Sequence, residues 1–160
     1  DEFKLFKNEN KNSNIKLLII GEGEEKKNIL NRIKLNNLSK EVNLLNRTNN
    51  VYKYMKKSEA FILPSLWEEV GFVIVEAAMS NTFIISSNCP NGPTEFLNNG
   101  DAGILFKNNK VGELSNSLKL FLDNKINFME KRKYAKKNSV KYTKFRHFKK
   151  LIKIIDENQV

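Results

Sequence analysis

The segment Glu59-Ala60-Phe61-Ile62-Leu63-Pro64-Ser65-Leu66-Trp67-Glu68-Glu69-Val70-Gly71-Phe72-Val73-Ile74-Val75-Glu76-Ala77-Ala78-Met79 decides the fold of this chain. Its first five residues are mostly apolar and end against Pro64, which has no N–H to give to a sheet ladder, so they read as a strand that stops there. From Gly71 to Met79 the pattern is helical, with Phe72, Val75, Ala78 and Met79 expected to face inward. Strand, short loop and helix make one βα unit.

The same unit repeats on both sides. Residues 1–14 read as the end of a helix and a polar loop. Ile15–Ile20 is a nearly continuous apolar run ending at Gly21, which suits a parallel strand buried on both faces. A helix follows over Glu24–Asn36, with Ile29, Leu30, Ile33 and Leu35 inward, then a strand over Val42–Leu45. Asn50 can cap a short helix reaching Lys57. Beyond the central unit come a strand over Thr82–Ser86, a short helix opened by Asn91-Gly92-Pro93-Thr94, and a strand over Gly103–Phe106. Helices over Val111–Leu122, Phe128–Lys141 and Phe145–Ile155 close the chain. Strands alternating with helices at this spacing predict an α/β fold: a Rossmann-like, doubly wound, mostly parallel sheet flanked by helices. Residues 1–160 read as a single domain, with 126–157 a basic C-terminal helical segment. In such sheets ligands bind beyond the carboxyl ends of the strands. The loops to inspect are those after Ile20, Leu45, Leu63, Ser86 and Phe106.

Composition narrows the class. With 160 residues and 40% hydrophobic content the chain can build one real core. No apolar run approaches the roughly 20 residues that a membrane span needs. The first residues, Asp1-Glu2-Phe3-Lys4, lack a signal-peptide layout and an initiator Met, so the chain reads as a fragment. Cys89 is the only cysteine, which excludes an internal disulfide and points to a cytoplasmic setting. The net charge of +10 is concentrated: between Lys125 and Lys153 there are 12 Lys and Arg against one acid. That stretch is open to three readings: a solvated face, an anionic membrane surface, or nucleic acid. Base stacking would want interleaved aromatics; the spacing of Tyr134, Tyr142, Phe145 and Phe148 instead fits helix packing.

Three loops can carry chemistry. Gly21-Glu22-Gly23 lacks a third glycine at Lys26, so a tight turn explains it better than a dinucleotide fingerprint. In the loop after Leu63, Glu68 precedes a helix start and Glu76 lies about two turns along it. Gly71 lets a ligand approach the backbone, and the free N–H groups of the helix start favour anionic or polyhydroxylated ligands. Glu76 stands in an apolar stretch and needs a partner, which the two hydroxyls of a ribose can supply. Spacing alone slightly favours the plainer reading, in which both are ordinary helix and surface residues. After Ser86, the loop Cys89-Pro90-Asn91-Gly92-Pro93-Thr94-Glu95 is stiffened by two prolines and can turn N–H groups toward a phosphate or sugar. Glu95, in the first turn of the next helix, is explained as well by helix-end stabilisation.

Taken together, from about Ile15 to Phe106, these segments resemble the C-terminal domain of family 4 retaining glycosyltransferases of the GT-B fold. Ile19-Ile20-Gly21-Glu22-Gly23 is similar to the family's first βα turn, and Glu68 to Glu76 matches its E-x7-E motif, including Gly71. Cys89–Glu95 resembles a loop of the members that build bacterial surface glycans. The resemblance implies transfer of a hexose or N-acetylhexosamine from a nucleotide-sugar donor, a UDP-sugar, to a glycan or lipid-linked acceptor. The anomeric configuration would be retained, with no metal and no cofactor. It implies that Glu68 is catalytic, facing the donor sugar. Glu76 would bind the donor ribose, with the Gly71, Phe72 and Val73 N–H groups near sugar hydroxyls or phosphate. Arg47, Thr48 and Tyr52 would lie by the donor. Cys89, Pro90, Asn91, Gly92, Pro93 and Glu95 would lie near phosphate or acceptor.

The sequence departs from the pattern at Asn46, where a Gly is common, and at Glu69-Val70, where Gly-Phe is usual. The family's first C-domain strand, with a following loop that supplies an Arg and a Lys to the diphosphate, is not in the chain, nor is an N-terminal acceptor domain. Alone, the chain is expected to be inactive. Two alternatives stand beside this reading: a sugar epimerase of the same fold, which would want further acid/base groups at the donor site, and a degenerate fragment. His147, in the late basic helix, is expected at the surface. Lipid-linked acceptors and the basic stretch point to peripheral attachment at the inner face of a membrane.

Overall fold

The structure is a computed structural model that describes residues 1–157. In chain order its elements are α1 (Glu2–Glu9), β1 (Leu17–Ile20), α2 (Lys26–Leu35), β2 (Val42–Leu45), α3 (Tyr52–Lys57), β3 (Ala60–Leu63) and α4 (Phe72–Met79). They continue as β4 (Phe83–Ser87), α5 (Gly92–Phe96), β5 (Ile104–Phe106), α6 (Glu113–Asp123), α7 (Met129–Ser139) and α8 (Lys144–Glu157). Each strand and helix expected from the sequence is present, with ends displaced by a few residues.

All strand pairings are parallel. They form two ladders, β1-β2 and β3-β4-β5, where the sequence led us to expect one continuous sheet. Among the described residues β1 is paired only with β2, and β3 only with β4, so each leaves one edge without a neighbour. The effect shows in burial. β1, expected to be covered on both faces, leaves Leu18 36% exposed and its other residues half-buried. β4, paired on both sides, is buried along its whole length.

Two apolar cores lie on opposite faces of β4, as the two-residue period of a strand requires. Phe83 and Ile85 enter one, with Phe6 of α1, Val42 of β2, Phe106 of β5 and Phe121 of α6. This core spans both ladders and ties them together. Phe83 stacks on Phe121 and Phe128 with ring centroids 4.9 and 5.3 Å away. The Glu2 carboxylate accepts the N–H groups of Gly112 and Ser115 at 2.9 and 3.2 Å, which fastens α1 to the start of α6. Ile84 enters the other core, with Met55 of α3, Leu63 of β3, Ile74, Val75, Ala77 and Ala78 of α4, and Ala135 of α7.

Three expectations about inward faces are corrected. Phe72 and Met79 of α4 are exposed, at 61% and 41%. The helix instead settles on Ala77 and Ala78, whose small side chains let it approach β3, β4 and α7 closely, and the large residues fall at the rim. On α2, Leu30 and Leu35 are exposed and only Ile33 packs against the core, because a ladder of two strands offers a narrow platform. Among the late aromatics, Tyr142 meets Phe96 edge-on at 5.4 Å, but Tyr134, Phe145 and Phe148 are exposed. Among the described residues α8 buries none of its side chains. No described helix is long and apolar enough to cross a membrane.

Candidate functional site

The loop between β3 and α4 begins at Pro64 and ends at Gly71, whose φ of 65° and ψ of 51° lie in the left-handed region that glycine enters without strain. No side chain caps α4. The first-turn N–H groups of Phe72 and Val73 therefore have no intrahelical partner, and the positive end of the helix dipole faces outward there. Glu68 sits at this end. Its Oε1 accepts the Ser65 hydroxyl at 2.7 Å, and its Oε2 lies 3.8 Å from where a Cβ on Gly71 would be. Glu76 is half-buried on α4, about two turns further along.

Tyr52 reaches Glu76 from α3. The side chain of Asn50 accepts the Lys53 N–H at 3.3 Å, as expected of a cap, and so fixes the first turn that carries Tyr52. The negative charge of Glu76 holds the Tyr52 phenol above its ordinary value, helped by burial and by a hydrogen bond between the two side chains. Two residues separated by 24 positions in sequence thus form one polar pair beside the α4 helix.

Three loops are tied together at the carboxyl edge of β3, β4 and β5. The Gly92 N–H donates to the Glu69 carbonyl at 2.9 Å. At this contact a Cβ on Gly92 would fall 2.3 Å from the Val70 carbonyl oxygen, so only glycine fits. The Ser87 hydroxyl donates to the Ser65 carbonyl at 2.5 Å. The Asn108 side-chain amide donates to the Leu66 carbonyl at 2.9 Å, while the Asn108 N–H donates to Asn88 Oδ1 at 2.9 Å. Beneath the second loop Cys89, Gly92 and Pro93 are buried, leaving Pro90, Asn91 and Glu95 exposed. A cavity of about 520 Å³ opens there, lined by Asn88, Cys89, Asn91, Thr94, Glu95 and Asn98 among others. Behind it, burial first and the charge of Glu95 second hold the Tyr142 phenol above its ordinary value.

The structure therefore brings Glu68, Gly71, Phe72 and Val73 together at one helix start, adds the Glu76–Tyr52 pair on the same helix, and joins the Cys89–Glu95 loop to them through Glu69 and Val70. Arg47 and Thr48 follow β2 in the other ladder; Arg47 is exposed, and Thr48 accepts the Asn50 N–H at 3.3 Å, shaping the turn into α3. His147 is exposed on α8. Among the described residues no three His, Cys, Asp or Glu side chains gather as a metal site would require. Reading the sequence missed Ser65, Ser87 and Asn108. The signal for Ser87 was available: a hydroxyl at the end of a wholly buried strand needs a partner. Asn108 carried no local signal, because its partners come from two other loops.

The fold is that of a parallel α/β domain of the doubly wound class, with three loops tied together at the strand ends. Residues 2–142 match the family described as glycosyl transferases group 1, and the chain belongs to that family. A Campylobacter jejuni N-acetylgalactosamine-N,N'-diacetylbacillosaminyl-diphospho-undecaprenol 4-alpha-N-acetylgalactosaminyltransferase is 31% identical over 129 residues, covering 81% of this chain and 34% of its own length. An Escherichia coli UDP-Gal:alpha-D-GlcNAc-diphosphoundecaprenol alpha-1,3-galactosyltransferase is 34% identical over 120 residues, covering 71% of this chain and 30% of its own. The chain thus spans about a third of the length of these relatives. In shape it is similar to S. aureus TarM, seen in a mutant form with Fondaparinux, alpha-GlcNAc-glycerol and UDP: TM-score 0.85 at 22% identity, over 95% of this chain and 31% of that one. That likeness confirms the GT-B-type fold.

Proposed function

We propose that this chain is the donor-binding part of a retaining glycosyltransferase that uses a UDP-sugar. The observation that carries this reading is the α4 helix. Glu68 stands at its uncapped N-terminus, and Glu76, paired with Tyr52, stands two turns on. A carboxylate oriented by one phenol keeps further lone pairs for the two hydroxyls of a ribose. The free N–H groups of the first turn suit a sugar hydroxyl or a phosphate oxygen. UDP accompanies the structural relative named above, and the two enzymes of C. jejuni and E. coli are named for substrates on diphospho-undecaprenol. These names favour a UDP donor and a glycan or lipid-linked acceptor.

In this reading the acceptor hydroxyl attacks the anomeric carbon on the face that the leaving diphosphate departs. The new C–O bond forms as the bond to phosphate breaks, and the acceptor's proton passes to a phosphate oxygen. Charge at the leaving group is then the main demand on the protein. The Phe72 and Val73 N–H groups answer part of it. We place the acceptor domain and the diphosphate-binding Arg and Lys in sequence beyond these 160 residues. Calorimetric titration of the chain with UDP and UDP-N-acetylglucosamine tests the donor role. Glu76→Gln should weaken both about tenfold, on the scale of one charge-assisted hydrogen bond; equal binding by both proteins removes Glu76 from the site.

The basic segment supports a peripheral membrane location. On α8, at about 100° per residue, Phe145, Phe148, Leu151, Ile152 and Ile155 share one face, and Arg146, Lys149, Lys150 and Lys153 share the other. A basic amphipathic helix of this kind lies in an anionic interface. Co-sedimentation should be strong with vesicles containing phosphatidylglycerol and weak with phosphatidylcholine alone. Equal recovery with both would rule out an anionic surface as the partner of α8.

A further inference from the structure

We propose that Trp67 is a stacking platform for a pyranose ring at the mouth of the site, an inference that rests on the donor-binding reading above. Trp67 is the only tryptophan in the chain and is 63% exposed. Among the described residues no hydrogen bond or ring contact engages its indole. A large apolar side chain facing water is unexceptional on a loose loop. Here the loop is fixed. The carbonyl two residues before Trp67 accepts the Ser87 hydroxyl, the carbonyl one residue before accepts the Asn108 amide, and the residue after, Glu68, is held by Ser65. The indole is therefore presented from a backbone tied to the ends of β4 and β5. A platform held in place before binding loses little freedom when a ligand settles on it.

The surroundings specify a sugar rather than an apolar ligand. An indole face carries a negative quadrupole and a large apolar area, and its edge carries one N–H donor. A pyranose ring is complementary: an apolar C–H face and a rim of hydroxyls. Through Asn108 the loop is linked to Asn88. Asn88 opens the cavity lined also by Asn91, Asn98 and Asn99; Asn98 already donates to Asp101 at 2.8 Å and Asn88 already accepts from Asn108, and the remaining amide donors and acceptors suit hydroxyl groups. Glu68 adds a further acceptor on the same loop as Trp67. An exposed aromatic face whose loop is hydrogen-bonded, through Asn108, to an amide-lined cavity suits carbohydrate recognition. The pyranose has two sources, the donor's own sugar or a sugar of the acceptor glycan.

Because Trp67 is the sole tryptophan, its fluorescence reports this position alone. The chain is titrated with UDP, with UDP-N-acetylglucosamine, UDP-glucose and UDP-galactose, and with free chitotriose, while calorimetry follows binding in parallel. A blue shift and quenching with at least one sugar nucleotide but not with UDP assigns the ring to the donor sugar. The same change with chitotriose and not with sugar nucleotides assigns it to an acceptor glycan. Trp67→Ala should lose affinity for that ligand about tenfold or more, the scale of removing a buried aromatic anchor, with UDP affinity unchanged. Trp67→Phe should keep most of it. If calorimetry shows sugar-nucleotide binding while the emission is unmoved, Trp67 is overturned and the donor reading stands. If chitotriose moves the emission while no nucleotide binds, the donor reading fails and the platform stands. If nothing binds and nothing shifts, both are overturned.

Discussion

Replacing Gly92 by alanine tests whether the two loops at the sheet edge act as one unit. A Cβ there would lie 2.3 Å from the Val70 carbonyl oxygen and 2.4 Å from its carbon, both backbone atoms with no rotamer to turn away. Ordinary contact begins at 3.4 Å, so the backbone segments must part by about 1.1 Å. That movement breaks the 2.9 Å bond from the Gly92 N–H to the Glu69 carbonyl. Forced repacking of this kind costs about 1–3 kcal/mol, and the lost hydrogen bond about 1 kcal/mol. Gly92→Ala should therefore destabilise the chain by about 2–4 kcal/mol. At about 2–4 °C per kcal/mol for a chain of this size, the melting temperature should fall by about 5–15 °C. Since Glu69 and Val70 lie between Glu68 and Gly71, the same shift should weaken UDP-N-acetylglucosamine binding about tenfold. Gly23→Ala is the control: its Cβ would meet nothing within 4 Å, and both quantities should hold. Calorimetry and thermal unfolding of the two variants read the result. Equal melting temperatures would refute the clash. A lowered melting temperature with unchanged donor binding would refute the link between clamp and site.

Two further predictions concern the pair on α4 and the core below it. Glu76→Gln removes the charge that raises the Tyr52 phenol, so the tyrosine ring signal of that residue should titrate closer to the ordinary 10.0 in an NMR pH series. The sign follows from a native value above the unfolded one: the pair's stabilisation is present below about pH 10 and is lost as pH rises through the native value. An unchanged Tyr52 titration would show that Glu76 is not its partner. Phe83→Ala empties the space between Phe121 and Phe128 at a residue that is 2% exposed, and should cost about 3–5 kcal/mol in denaturant unfolding; a loss below about 1 kcal/mol would mean that these rings close over the gap.

The fold was legible because β4 and its neighbours obey strong periodic rules. Phe83-Ile84-Ile85 is apolar without a break, as a strand covered on both faces must be, and Pro64 marks where β3 ends. The split into two ladders was not legible, since Leu17-Leu18-Ile19-Ile20 carries the same apolar run whether or not a neighbour covers it. The carboxylates proposed for the site, Glu68 and Glu76, stood out together because one short segment holds both. Tyr52 entered through resemblance, and only the packing of α3 near α4 gives it Glu76 as a partner. The direction of Phe72 was misread because helical spacing fixes which residues share a face, while neighbouring helices and the sheet decide which face is buried.

The polar end of β4 explains why this site is held so firmly. Ser86 and Ser87 are buried hydroxyls at the end of an apolar strand, where an unpartnered polar group would cost about 1–3 kcal/mol. Valine there would satisfy the core equally well. The serines instead find carbonyl partners: Ser86 donates to Ser87's own carbonyl at 3.0 Å, and Ser87 donates to Ser65 at 2.5 Å. The second bond fixes the segment on which Trp67, Glu68 and Gly71 follow. A loop fastened only by its apolar residues could not be so held, because Leu66 and Trp67 are exposed. The most buried strand in the chain thus transmits its rigidity to the site through a single hydroxyl, and Asn108 does the same from the end of β5. In the donor-binding reading proposed above, preorganised N–H groups would stabilise charge on a departing diphosphate, since groups already in place need not reorganise as charge develops.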